Sequence, residues 1–579
     1  MMTWLKPKCP TPEQGALADG ARLSSQHTLI PASPEHNATA PDTKEAADAA
    51  GIAPAATAPS IPSTEQSDGF EEYPAAWKLV AILIGLSLTV FLVSLDNTIL
   101  ATAVPKITEQ FNSLDDVGWY GSSFMLTNCA VSLLYGKLYS FFSIKWVFLA
   151  ALAVFEIGSL VCGIAPNSVA LIIGRAVAGL GGAGLFSGSI LLVAQSVPKR
   201  QRALCTGIVS SLYAIAGVAG PLMGGALTDY VSWRWCFYIN LPLGAVTFVF
   251  VVFFFKAQRA IKSTTGLPEK LLQLNPLSMA LFLPAVICLL LALQWGGAKY
   301  PWSDGRVIAL FVVFGVLLLL FVGLQWWQQE DATIPPHLIR NRNVWGSSLY
   351  TFSLTGSFMV FTYYLPIWFQ SIKGVSATQS GILNLPMLAG VGVCSVIAGA
   401  IVTAFGQYMP FVYFAPVATS IAGGLLCTLQ VDTGRSAYLG YQALYGIGFG
   451  AGMTQPMMAV QAALPATDTP TGIVIVMFTQ TIGGALFISV AQNLFQNKLL
   501  ENLAGLGADV DVEKVVSAGA TSLRRVVSAD LLPAVLREYS AAVTFSFYLA
   551  TALAALAIFG TLPMQWLSLK KSESVQPAH

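Results

Sequence analysis

From residue 79 to residue 565 the chain alternates long apolar blocks with short polar gaps. Blocks of about twenty residues match the length of an α-helix that crosses a bilayer, whereas a membrane β-strand needs only ~10 residues and alternates in polarity. The pattern predicts fourteen spans, near 79–103, 117–139, 146–165, 168–193, 204–228, 237–256, 276–295, 306–327, 343–370, 380–405, 410–430, 437–461, 471–494 and 541–565. The fold class that follows is an all-α polytopic membrane protein. Residues 1–75 hold Ala, Pro, Ser and Thr without an apolar run and read as a disordered cytosolic tail. No apolar h-region follows Met1, so the first span is expected to act as the insertion signal.

Composition removes the alternatives. The chain is 55% hydrophobic and 10% charged, against roughly 25% charged in soluble domains. A net charge of +1 gives no basic surface for nucleic acid. None of the four histidines (His27, His36, His337, His579) lies in a span, which speaks against an intramembrane metal or haem. Seven of the eight cysteines lie within or at the edge of apolar segments, where small buried thiols are expected. There is no GxxxxGK[ST], HExxH or GxSxG, so neither an ATP-driven pump nor a membrane hydrolase is expected. The chain is read as a non-enzyme without a cofactor.

Basic residues set the orientation. With a cytoplasmic N-terminus the short inner loops hold eleven Lys and Arg, in 137–145, 199–202, 256–270 and 340–342; the short outer loops hold six. This predicts both termini inside.

Two Gly-led helix ends, GKLYSFFSIK (136–145) and GAIVTAFGQY (399–408), each follow the second span of a six-span group. They suggest an N-terminal bundle over 76–256 and a C-terminal bundle over 343–565, with two inserted helices within 276–327. A cytosolic linker (257–275), an outer loop (496–540) and a cytosolic tail (566–579) complete the expected organisation. Repeats of this kind frame secondary transporters.

Three ionisable side chains lie clearly inside spans: Asp96, Glu156 and Arg175. Each is costly there, by ~2.5–3.5 kcal/mol even on insertion scales, and so is expected to face the interior with a partner. Counting 1.5 Å per residue from the helix ends puts all three roughly 10–14 Å below the outer surface. One polar cluster is the expectation. Two carboxylates and one guanidinium cannot pair one-to-one, so one acid is left to take and release a proton.

Five ordered motifs carry a family resemblance. They are LDNTILATAVPKI (95–107), GRAVAGLGGAG (174–184), GVAGPLMGG (217–225), WRWCFYINLPLG (233–244) and YYLPIWFQSIKGVSATQSGILNLP (363–386). The chain resembles the major facilitator superfamily in its fourteen-span drug:proton antiporter branch, and within it fungal toxin and multidrug efflux carriers. The resemblance implies the major facilitator fold, with two six-helix bundles plus two inserted helices. With the charge cluster it points to proton coupling through Asp96 and Arg175, which lie in the motifs, and through Glu156, which the charge count alone adds. The resemblance implies a rocking seam at Gly217, Gly220, Pro221, Gly224 and Gly225. It also implies a cytoplasmic gate loop at Gly136 and Lys145. The family's G-x-L-x-D-x-x-G-R-K pattern is broken there: Ser140, Ser143 and Ile144 replace the Asp, the second Gly and the Arg.

Aromatic walls with a few amides suit an amphipathic solute. Gln455, Gln480, Tyr363, Tyr364 and Gln370 are the candidate cavity residues. The function expected is proton-driven export of a hydrophobic or amphipathic small molecule (a toxin, secondary metabolite or drug) by alternating access. The expected partners are that solute, protons and the lipid bilayer, with the chain acting as a monomer in the plasma membrane. An importer or vacuolar carrier of siderophores or amino acids, or a non-transporting sensor, would use the same frame.

Overall fold

The computed structural model describes residues 76–111, 116–255, 274–297, 300–329, 332–506 and 527–569. The expected 1–75 tail, most of the 257–275 linker and 570–579 lie outside the described residues.

The helices are α1 (Ala76–Phe111), α2 (Val117–Phe141), α3 (Ile144–Ile164), α4 (Ser168–Ser196), α5 (Lys199–Tyr230), α6 (Trp235–Tyr238), α7 (Asn240–Phe254), α8 (Pro276–Trp295), α9 (Gly305–Gln328) and α10 (Pro336–Arg340). They continue with α11 (Arg342–Ile372), α12 (Ala377–Leu383), α13 (Leu385–Phe405), α14 (Met409–Cys427), α15 (Arg435–Gly452), α16 (Gln455–Ala463), α17 (Thr469–Ala504) and α18 (Leu532–Thr561). Every expected span coincides with helix. α17 runs on to Ala504 and α18 starts at Leu532, so the 496–540 loop is shorter than expected; 507–526 lie outside the described residues.

Among the described residues ten helical segments are long and apolar enough to cross a membrane, or eleven if the bent α5 counts as one. Among the long helices, some fall short of that measure because they carry buried polar side chains. In α11, for example, Ser347, Thr351, Ser353 and Ser357 are all buried against other helices. α9 is the opposite case, with mean hydropathy 3.2 and only 11% of its apolar window buried. A helix apolar all round belongs against lipid, whereas one enclosed by protein tolerates hydroxyls that find partners.

Local chemistry sets the helix boundaries. Asn167, Asp304, Asn341 and Ser376 cap α4, α9, α11 and α12 by accepting a backbone N–H. Gly406, at φ +77°, ends α13 in the left-handed conformation, at the second of the two Gly-led turns. Pro386 and Pro456 sit in the first turns of α13 and α16, where a missing N–H is tolerated, and mark breaks from α12 and α15.

α1, α2, α3, α4, α5 and α7 pack on one another, as do α11, α13, α14, α15, α17 and α18. The groups meet where α5 lies on α13 and α2 on α17. α8 pairs with α9 and reaches both α2 and α17. Trp295 stands edge-on to Trp119 of α2 at 6.2 Å, and Phe282 lies 5.4 Å from Phe478 of α17.

A candidate proton-coupling site and its seams

α3 and α4 approach closely because both are bare at the contact. A Cβ on Gly158 would lie 2.3 Å from the Ala178 nitrogen, and one on Gly181 2.4 Å from the Phe155 nitrogen. This contact brings the Glu156 and Arg175 turns together. Asp96 of α1 completes the approach: its Oδ2 accepts from Arg175 Nη1, and both side chains are buried. Arg175 Nε donates to the Tyr120 carbonyl at 2.8 Å, and the guanidinium lies 4.7 Å from the Phe124 ring centroid. The cation is therefore held on three sides: by a carboxylate, a carbonyl and an aromatic face.

The other oxygen of Asp96 is also used. Oδ1 accepts from Asn240 Nδ2 at 3.1 Å, and that same amide nitrogen donates to Ser159 Oγ at 3.0 Å. Asn240 was not among the sequence candidates. It is an amide about one turn inside the apolar span expected at 237–256, a signal that a count of ionisable residues omits.

Glu156 differs from Asp96. Both its carboxyl oxygens are buried without a hydrogen-bond partner. The head lies on the bare backbone of α7, where a Cβ on Gly244 would meet Glu156 Oε1 at 1.9 Å. Asp96 is its charged neighbour. The structure thus brings together the three ionisable residues expected in one cluster and separates them into a pair and a lone acid. A buried carboxylate with no donor from the protein is costly at this depth, so the arrangement fits the neutral acid.

The α5 motif points in several directions. A Cβ on Gly220 would strike Thr98 Oγ1 of α1 at 2.1 Å; one on Gly217 would sit 3.7 Å from Leu388 of α13; one on Gly225 would meet nothing within 4 Å. Gly224 is buried. The arms Gln201–Gly217 and Leu222–Thr228 meet at 46°, across the segment that contains Pro221. These glycines serve different neighbours and do not form a single flat stripe against one partner.

Both seams between the groups make close contacts at one end. Along α5–α13, Leu204 N donates to Thr403 Oγ1 at 3.2 Å, and a Cβ on Gly399 or Gly207 would meet backbone at 2.5–2.6 Å. Further along, at Gly392 and Gly217, the nearest atoms are 3.7 Å away. Along α2–α17, Gly136 lies against Thr471 and Val474, and Ser140 Oγ is 3.1 Å from Thr471 Oγ1. These tight ends share the side of the α2–α3 and α4–α5 turns. Ser140 thus makes the crossing contact from the position of the missing acid. Lys145 does not cross the seam; its Nζ donates to the carbonyls of Val252 and Phe255 at 2.7 and 2.6 Å, closing the end of α7.

The candidate cavity residues separate too. Tyr363 is 47% exposed although it lies within α11, and it is in electrostatic range of Tyr213 of α5. Gln480 is half-buried. Tyr364 is buried, with Phe495 at 5.7 Å. Gln370 donates to Ser380 at 3.1 Å, and Gln455 is fully buried, donating to the Ala451 carbonyl at 3.2 Å. Tyr363 and Gln480 keep accessible surface, whereas Tyr364 and Gln455 are packed.

Comparison with known proteins agrees with this architecture. The chain is 59% identical over 511 residues to the MFS-type transporter astH of Aspergillus oryzae, covering 88% of this chain and 90% of that one. It is 53% identical over 520 residues to the efflux pump roqT of Penicillium rubens, covering 89% and 96%. Among solved structures, the proton:xylose symporter XylE aligns over 86% of this chain and 99% of its own, with TM-score 0.54 at 15% identity, a likeness of fold. The model of the Major Facilitator Superfamily matches residues 86–488. With two groups of helices meeting along paired seams, and with these relatives, the chain belongs to the Major Facilitator Superfamily.

Proposed function

We propose that the chain is a proton-coupled efflux carrier that exports a hydrophobic or amphipathic small molecule, of the toxin, secondary-metabolite or drug kind, by alternating access. The observation that carries the coupling is the contrast between Asp96, both of whose carboxyl oxygens are bonded, to Arg175 and to Asn240, and a buried Glu156 neither of whose oxygens has a partner. Glu156 is the acid that exchanges the proton, and Asp96–Arg175 is the fixed charge that senses it. The names of the relatives, efflux pump among them, support the export direction.

In this reading fourteen helical segments cross the plasma membrane with both termini in the cytoplasm, and a single chain is sufficient. The two six-helix groups rock about α5–α13 and α2–α17. The tight ends of both seams support a conformation closed toward the cytoplasm. Tyr363 and Gln480 belong to the solute path. When the outer side is open, Glu156 loads a proton; release inside resets the carrier. A charge moved across 100 mV supplies ~2.3 kcal/mol, enough to sustain a concentration ratio on the order of 50.

The test is accumulation of hydrophobic dyes in efflux-deficient cells that express the chain, with and without a protonophore. Lower accumulation that the protonophore reverses, and that Glu156→Gln abolishes at equal surface expression, is the expected result. Protonophore-sensitive export by Glu156→Gln at the wild-type rate would remove Glu156 from the coupling role. Raised accumulation would reverse the direction and make the chain an importer.

A further inference from the structure

We propose that Asn240 is a positioning residue that links the protonation state of Glu156 to the Asp96–Arg175 pair; this rests on Glu156 being the exchanging acid. α3 and α7 run antiparallel along one seam. On α3, Glu156 and Ser159 are three residues apart; on α7, Asn240 and Gly244 are four apart. Ser159 meets Asn240 and Glu156 meets Gly244, so the carboxyl and the amide lie within one helical turn of each other on the same strip.

The amide has unequal sides. Nδ2 is fully committed, to Asp96 Oδ1 and Ser159 Oγ. Oδ1 is buried and has no partner. An orphaned buried carbonyl oxygen needs a donor. The neutral carboxyl of Glu156 is a donor of that kind, and a carboxylate is not. With the proton on Glu156, its O–H donates to Asn240 Oδ1. The amide then holds Asp96 through Nδ2, giving one chain from Glu156 through Asn240 to Asp96 and Arg175.

Removal of the proton breaks this chain. Glu156 then presents only acceptors to an amide oxygen, beside a second carboxylate. The amide relieves the clash by turning its nitrogen toward Glu156 and releasing Asp96 Oδ1, which leaves Arg175 as the remaining partner of Asp96. No covalent bond changes; a proton leaves and an amide reorients. Other titratable or charged groups near this strip are Cys162 of α3 and Cys236 of α6, both in electrostatic range of Asp96, and Tyr238 and Arg234, which pack on Gly163 one turn beyond Ser159. α1 contributes Asp96 and α4 contributes Arg175.

The test needs no identified solute. The full chain, purified into lipid nanodiscs, is titrated by infrared difference spectroscopy in the protonated-carboxyl region. The expected wild-type spectrum contains a buried carboxyl band that Glu156→Gln removes. In Asn240→Ala that band moves to higher wavenumber, and its titration midpoint shifts by about one pH unit, as loss of one hydrogen bond requires. Asn240→Gln keeps both amide groups and moves the band less; it stands in if the alanine variant does not fold. A band that persists in Glu156→Gln would overturn the reading of Glu156 itself. A band that Glu156→Gln removes, but that neither Asn240 variant moves, would overturn this inference alone.

Discussion

The two halves handle buried polarity in opposite ways. The first holds a charged pair and a free acid between α1, α3, α4 and α7. The second, at its own helix contacts, uses neutral groups: Tyr445 and Ser357 share a hydrogen bond of 2.7 Å, Phe358 stacks on Phe449 at 4.1 Å, and the buried amides Gln442 and Gln455 bond to helix carbonyls. Neutral contacts are insensitive to a proton; a charged cluster with one spare acid is not. The difference teaches where a proton could act: in the proposed cycle coupling belongs to the first bundle, and the second contributes shape and surface.

Four substitutions break or sharpen that contrast. Arg175→Ala has the largest expected effect, because it leaves Asp96 buried without its counter-charge. A loss of about 3–5 kcal/mol is expected, read as a large fall in the thermal midpoint of the purified chain. Gly220→Ala tests packing beside the same cluster. The new methyl would strike Thr98, whose hydroxyl donates to the Ala216 carbonyl at 3.1 Å, so a cost of about 1–3 kcal/mol is expected in the same assay. Tyr445→Phe deletes one neutral hydrogen bond in the second half; it should cost about 1 kcal/mol and leave the pH dependence of transport unmoved. A shifted pH profile in that variant would show that the second half is coupled to the proton after all. Gly225→Ala should be the mildest. Its methyl enters open space, and removing a helical glycine favours the fold by roughly 0.5–1 kcal/mol.

Much of this arrangement was legible beforehand. Apolar block length located the long helices, though not the short Pro336–Arg340 or the separate Ala377–Leu383, and the 1.5 Å rise placed Asp96, Glu156 and Arg175 at one depth. What that depth count lacked was azimuth, the direction each side chain faces. Asp96 and Arg175 meet because α1 and α4 turn those faces together, and Glu156 is left alone because Gly244 removes the side chain that would have met it. Asn240 was hidden within a motif valued as a signature, with its amide uncounted. Gln455 is a candidate cavity residue by its place in a span, yet its donor is spent on Ala451 of the preceding turn. The α5 glycines share a spacing but not a neighbour, and spacing alone does not name a neighbour.

The hydroxyl contact between Ser140 and Thr471 has a consequence for how the carrier responds to its surroundings. A clasp built from ions weakens as salt screens it, over a Debye length of about 8 Å at physiological ionic strength. Two hydroxyls carry no net charge to screen and no proton to lose in the cell's pH range. The rate at which this seam parts should therefore be nearly flat across ionic strength and cytosolic acidity. Potassium load or acid stress would leave that clasp indifferent, and sensitivity of the cycle to either would have to arise elsewhere in the chain.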